Sequence, residues 1–244
     1  MGALAYWLLA SLLVLVGVLE STISRRGNLG KAVLDNAGTL AVPFSVAGVS
    51  GVNCLDYLKD TIEHQPFTIE RKSDKTGGSF DWLRRRMTLG QGYREKAGEA
   101  VLDAAHEFSH VLQVGPMWTT FGVMQSGSVP FSLLALAAAL IYPNTPYWVG
   151  ATLIFVVMGI VGAIPREIDA ILGSLDLSLR YLATTPLDPT HLQAFERFAK
   201  QRARATAIWY PLSIAHREMI MAIAVALIAT LHPMFLHAWL TLGH

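Results

Sequence analysis

Residues 106–110 read His-Glu-Phe-Ser-His. Two histidines four apart on a helix share one face, about 6 Å apart along the axis, so both imidazoles can reach a single zinc ion. Glu107 between them points to the same side and can take a proton from a water that the metal activates. The flanking AGEAVLDAAHEFSHVLQV predicts a helix from about Ala97 to Val114. Without a metal, the same pattern is a helix carrying two hydrogen-bonded histidines. A zinc site with an open position needs a third protein ligand. The best candidate is Glu167, in Ile164-Pro165-Arg166-Glu167-Ile168-Asp169-Ala170, at the predicted start of another helix. Asp169 is the runner-up, although two residues along a helix it points away from Glu167.

The chain that must position these groups is poor in charge. It has 244 residues, of which 52% are hydrophobic and 15% charged, with a formal net charge of +1 and a mean hydropathy of +0.41. A soluble domain is nearer a quarter charged. This composition excludes a disordered chain, and the charge balance argues against a nucleic-acid binder, which would carry a basic stripe. The single cysteine, Cys54, excludes an internal disulfide framework and a Cys-rich zinc cluster.

The missing charge is local. Residues 1–19, 128–164 and 218–244 contain no Lys or Arg, and Glu218 is their one acid. Residues 1–19 are expected to be an N-terminal membrane anchor, with ALAYWLLASLLVLVGVL as its apolar run. Residues 128–164 are expected to be a transmembrane hairpin turning at PNTP, and 218–244 a C-terminal transmembrane helix. All Lys and Arg then lie in two blocks, 20–127 and 165–217, which the positive-inside rule puts together on the cytoplasmic face. The hairpin leaves that face about 18 residues after His110 and returns within three residues of Glu167, bringing the two motifs together. The expected fold is a mainly α membrane protein with about four transmembrane helices and a cytoplasmic zincin-like helical domain. A small β-hairpin is expected from Phe67-Thr68-Ile69-Glu70 and Met87-Thr88-Leu89, either side of the turn cluster SDKTGGS. Two helices, about 165–184 and 189–206, follow.

AAHEFSHVLQ followed by IPREIDAIL resembles the membrane-bound bacterial zinc metallopeptidases of the YugP type, and more distantly the HtpX-like gluzincin peptidases. The family's AAHExGHAxQ helix precedes a membrane hairpin and an LPVEFNAS-type helix. The resemblance implies one zinc per chain held by His106, His110 and Glu167, with Glu107 as catalytic base. It implies a protein or peptide substrate that is membrane-associated, contact with membrane lipids, and the bacterial inner membrane with the site facing the cytoplasm. Ser109 stands where the family prefers Gly, and Ile171 where the gluzincins carry an Asp; Asp169 replaces an Asn and could support a histidine.

The function expected is therefore a zinc-dependent endopeptidase. A catalytically idle membrane scaffold that keeps the fold, or a zinc hydrolase acting on a lipid or other amide, are the alternatives. Met87-Thr88-Leu89 could serve as an edge strand for an extended substrate, or simply pack a small sheet. Arg84-Arg85-Arg86 reads as an anionic-lipid contact or a solvated loop. His191, His216 and Arg180 are weak candidates for an oxyanion partner, and His232, His237 and His244 read as interfacial histidines.

Overall fold

The computed structural model describes residues 49–72, 78–94, 98–141, 147–204 and 206–207. The expected anchor at 1–19 and the expected membrane helix at 218–244 lie outside the described residues, as do His216, His232, His237 and His244. The described residues belong to two compact units. One comprises the residues described between 120 and 164, the other those from 49 to 119 and from 165 to 207. His106, Glu107, His110 and Glu167 all belong to the second.

That unit begins with helix α1, Gly51–Thr61. Ser50 has extended backbone, and its hydroxyl accepts from the Asn53 N–H at 3.2 Å, which satisfies one donor of the first turn. Cys54, Leu55 and Leu58 form its buried face. Three short strands follow: β1 (Thr68–Arg71), β2 (Gly78–Asp81) and β3 (Arg86–Leu89), in the order β1-β3-β2. β3 runs parallel to β1, with Ile69 opposite Met87, and antiparallel to β2, with Phe80 opposite Met87.

The sheet corrects two expectations. Phe67–Glu70 and Met87–Leu89 do not form a hairpin; the antiparallel partner of β3 is β2. Asp81 Oδ1 accepts from the Arg84 N–H at 3.1 Å and closes a turn short enough only for an antiparallel pair. The longer excursion between β1 and β3 has the length that parallel strands need. Met87-Thr88-Leu89 is consequently the central strand and not an edge, so its backbone has no free side for a substrate.

Arg85, in that turn, is the one described non-glycine residue at positive φ, +46°. Its Nε donates to Pro66 O at 3.0 Å, and its Nη2 to Val111 O at 3.1 Å and Gln65 O at 3.4 Å. Val111 lies in the last turn of helix α2 (Gly98–Leu112), so a cation caps one carbonyl at the negative end of that helix. Arg86 pairs with Glu70 across the sheet at 3.2 Å, and Arg84 with Asp81 at 3.5 Å. The three arginines thus serve the fold.

A 3-10 turn, Gln91–Arg94, leads into α2. Helices α3 (Pro116–Ile141) and α4 (Tyr147–Ala183) come next, and α5 occupies 189–204. Arg202 of α5 pairs with Glu99 at 2.6 Å and Asp103 at 2.8 Å on α2. The core of the second unit contains Leu55, Leu58, Met87, Phe108, Leu182 and Phe195, all fully buried.

Among the described residues, no helix is long and apolar enough to cross a membrane. The expected architecture of about four transmembrane helices is therefore corrected to a mainly helical fold with a three-stranded sheet. The boundaries drawn at 128 and 164 do not exist as element ends. α3 starts at Pro116 and takes in Thr119, Thr120, Gln125, Ser126, Ser128 and Ser132, while α4 continues through Arg166, Glu167, Asp169 and Asp176. An apolar run marks a stretch of sequence, not a helix. Within the first unit the two helices meet backbone to backbone at Gly162, where a Cβ would lie 2.5 Å from Phe121 O, and Phe131 stacks on Phe155 at 5.2 Å.

Two expected outcomes follow from this packing. A Cβ at Gly51 would lie 2.4 Å from the Ala100 carbonyl oxygen in α2. Gly51→Ala is expected to destabilise the fold by about 1–3 kcal/mol, read as a lower urea midpoint. Burial pushes the Cys54 thiol far up, so Cys54 is expected to resist a thiol-specific dye in the native protein and to label fully in denaturant. Rapid native labelling would contradict the buried α1 face.

Candidate metal centre

Helix α2 sets its apolar face, including Val101, Ala104, Ala105, Phe108 and Val111, into the core. The rotation that buries Phe108 also brings Glu107 and His110 inward and leaves His106 half-buried. The rings of His106 and His110 stand edge to face with centroids 4.9 Å apart, as neighbours one turn apart on a helix should. Glu167 arrives from α4. Pro165 lies inside that helix, where it removes one backbone donor without ending it, so Glu167 is a mid-helix residue. The expected helix start at 165 is not observed.

The two helices approach at Ser109 and Gly173. A Cβ on Gly173 would lie 2.8 Å from Ser109 Oγ, and that hydroxyl donates to Ala105 O at 2.9 Å. Ser109 is accommodated by a glycine on the opposite helix.

His106 Nε2 and His110 Nε2 lie 3.5 and 3.6 Å from the same atom, Glu167 Oε2. These separations are long for hydrogen bonds. They match the edge of a zinc tetrahedron, since ligand atoms about 2.0–2.1 Å from one ion stand about 3.4 Å apart. One ligand atom from each residue falls within a 4.8 Å cluster. Glu167 Oε2 is buried and accepts no hydrogen bond among the described residues, a costly state for a carboxylate unless a cation completes it. The donor set, two imidazole nitrogens and one carboxylate oxygen, is one that zinc accepts. By geometry, burial and chemistry the three residues could hold a metal ion, and zinc is one that this donor set suits.

Burial would raise the Glu167 carboxyl, but the facing His106 and His110 rings outweigh it and hold it down at about 2. Glu107 is driven the other way. Burial, opposed by His106 and reinforced by Glu167 and Asp103, pushes its carboxyl up to about 7. Its Oε2 is also buried and accepts nothing among the described residues. Two carboxylates in one cluster are thus separated into one that stays ionised and one poised to exchange a proton.

The other expected residues lie apart from this cluster. Asp169 is exposed and accepts from Gln113 Nε2 at 3.0 Å; it is not among the grouped ligand atoms. Arg180 pairs with Asp176 at 2.8 Å on an exposed helix face. His191 is exposed at the start of α5. Sequence reasoning quoted Gln113 at the end of AAHEFSHVLQ but gave it no role; it lies seven residues after His106 and three after His110, a spacing that keeps it on their helical face. Sequence reasoning likewise gave none to Arg166, a buried cation over the Trp82 ring at 5.6 Å.

The close approach at Gly173 generates a coupled outcome. Replacing a helical glycine with alanine gains about 1 kcal/mol where space allows. Gly173→Ala is expected to give that gain in a Ser109→Gly background and to lose it when Ser109 is present, measured by urea unfolding in a double-mutant cycle. Equal effects in both backgrounds would contradict the contact. The chain matches no family model, no curated protein and no solved structure in the comparisons.

Proposed function

We propose that this chain is a zinc-dependent endopeptidase in which His106, His110 and Glu167 hold one zinc ion and Glu107 moves the proton. The observation that carries this reading is the convergence of two imidazole nitrogens at 3.5 and 3.6 Å on one buried carboxylate oxygen that has no hydrogen-bond partner among the described residues. Zinc, when bound, supplies Lewis acidity towards a carbonyl oxygen and makes water more acidic.

The residues of the chain do the remaining work. Glu107, one residue from His106 and raised to about 7, accepts a proton from the attacking water and returns it to the departing amine nitrogen. A general base with its pKa near neutrality can do both in one turnover. Glu167, which the two facing imidazoles hold well below the usual carboxyl range, serves as the anionic ligand. Arg202 holds Glu99 and Asp103 on the first turns of α2, which fixes the helix on which Glu107 rides. A glutamate between two ligand histidines is the arrangement used in metallopeptidase hydrolysis, which favours a peptide bond as the substrate.

Elemental analysis of the purified full chain is expected to find about one zinc in the wild type and a sharp loss in Glu167→Ala. Glu107→Gln is expected to keep the metal and lower kcat on an unstructured protein substrate by about 10²–10⁴-fold. A wild type that binds no zinc when supplied with it, or a Glu107→Gln variant that cleaves at the wild-type rate, would overturn the proposal.

A further inference from the structure

Gln113 lies just beyond the last residue of α2, and its backbone N–H donates to His110 O at 3.3 Å. Its side chain returns to the same histidine. Oε1 lies 3.0 Å from His110 Nδ1, while Nε2 donates to Arg166 O at 2.6 Å and to Asp169 Oδ2 at 3.0 Å. One amide group therefore touches a histidine on α2 and two acceptors on α4, on either side of Glu167 in the sequence.

The partners settle the polarity of this chain of bonds. A backbone carbonyl and a carboxylate oxygen can only accept, and an amide nitrogen offers two hydrogens. Turning the amide over would set its oxygen against both acceptors and lose two bonds. With Nε2 committed to α4, Oε1 must face His110, and an acceptor there demands the proton on Nδ1. Nε2 of His110 is then the nitrogen with the free lone pair, and it is this nitrogen that lies 3.6 Å from Glu167 Oε2. His106, by contrast, makes no side-chain hydrogen bond among the described residues, so His110 alone is oriented in this way.

We propose that Gln113 is a positioning residue that locks His110 in its Nδ1–H form, turns its Nε2 towards the metal position, and is itself oriented by Asp169 and the Arg166 carbonyl. Asp169 is on this account a support two hydrogen bonds removed from the ligand His110, not itself a ligand. The proposal rests on the metal reading for its effect on zinc affinity, but the proton position on His110 can be measured without any metal.

Two measurements test it. In the metal-free full-length wild type, in alkaline buffer, long-range ¹⁵N–¹H correlation of the histidine rings is expected to show His110 as the Nδ1–H form, assigned by its loss in His110→Ala. An Nε2–H form, or an even mixture, overturns the proposal whether or not zinc binds. Zinc affinity is then measured by chelator competition. Gln113→Leu is expected to weaken binding by about 10–100-fold. Gln113→Glu sets a carboxylate oxygen against the Arg166 carbonyl and Asp169 Oδ2, which only accept, and is expected to weaken it too. A folded Gln113→Leu variant within twofold of wild type overturns the positioning role. A wild type that binds no zinc overturns the metal reading alone, leaving the tautomer to decide this one.

Discussion

A buried carboxyl oxygen without a hydrogen-bond donor is expensive for a small core to hold, and among the described residues this fold places two, Glu107 Oε2 and Glu167 Oε2, in one cluster. The groups around Glu167 could hold a cation that would meet that cost. Two imidazoles face one of its oxygens at matching distances, and Gln113 and Asp169 hold one of those imidazoles in place. The approach that allows this is steric. Helices α2 and α4 come close because position 173 has no side chain and position 109 has only a hydroxyl that turns back onto its own helix. A bulkier residue at either point would separate the ligands before it disturbed the rest of the core.

Much of the cluster was legible in the sequence because its logic is local. The spacing of His106, Glu107 and His110 needs only 3.6 residues per turn to put three groups on one side. Glu167 was reached by a less direct route, through a membrane hairpin whose expected span boundaries are not element ends. The expected return of the chain to the cluster has a counterpart in the fold, since the chain between 119 and 165 leaves and rejoins the same unit. Pro165 misled more simply. A proline at the onset of charge looks like a boundary, but a helix flanked on both sides by favourable turns can bear the loss of one hydrogen bond.

The parts that could not be read depend on contacts between distant segments. β2 is Gly-Ser-Phe-Asp, too short and too rich in turn formers to announce a strand, yet its insertion makes β3 the centre of the sheet. Gln113 is uninformative alone, since an amide three residues past a histidine acquires meaning only when α4 brings the Arg166 carbonyl and Asp169 beside it. The same holds for Arg202, whose pairing with Glu99 and Asp103 joins residues about a hundred positions apart.

Arg85 shows local and global preference pulling against each other. Its left-handed backbone, at φ +46°, costs a side-chain-bearing residue about 1–2 kcal/mol that glycine would not incur. Its guanidinium reaches three carbonyls, one of them on the last turn of the helix that bears His106 and His110. The position is frustrated in the energy-landscape sense: the residue that best suits the turn is the one that would abandon the helix end. Sequence design guided by turn preference alone would choose glycine there and relax a loop at the expense of the distant helix it anchors.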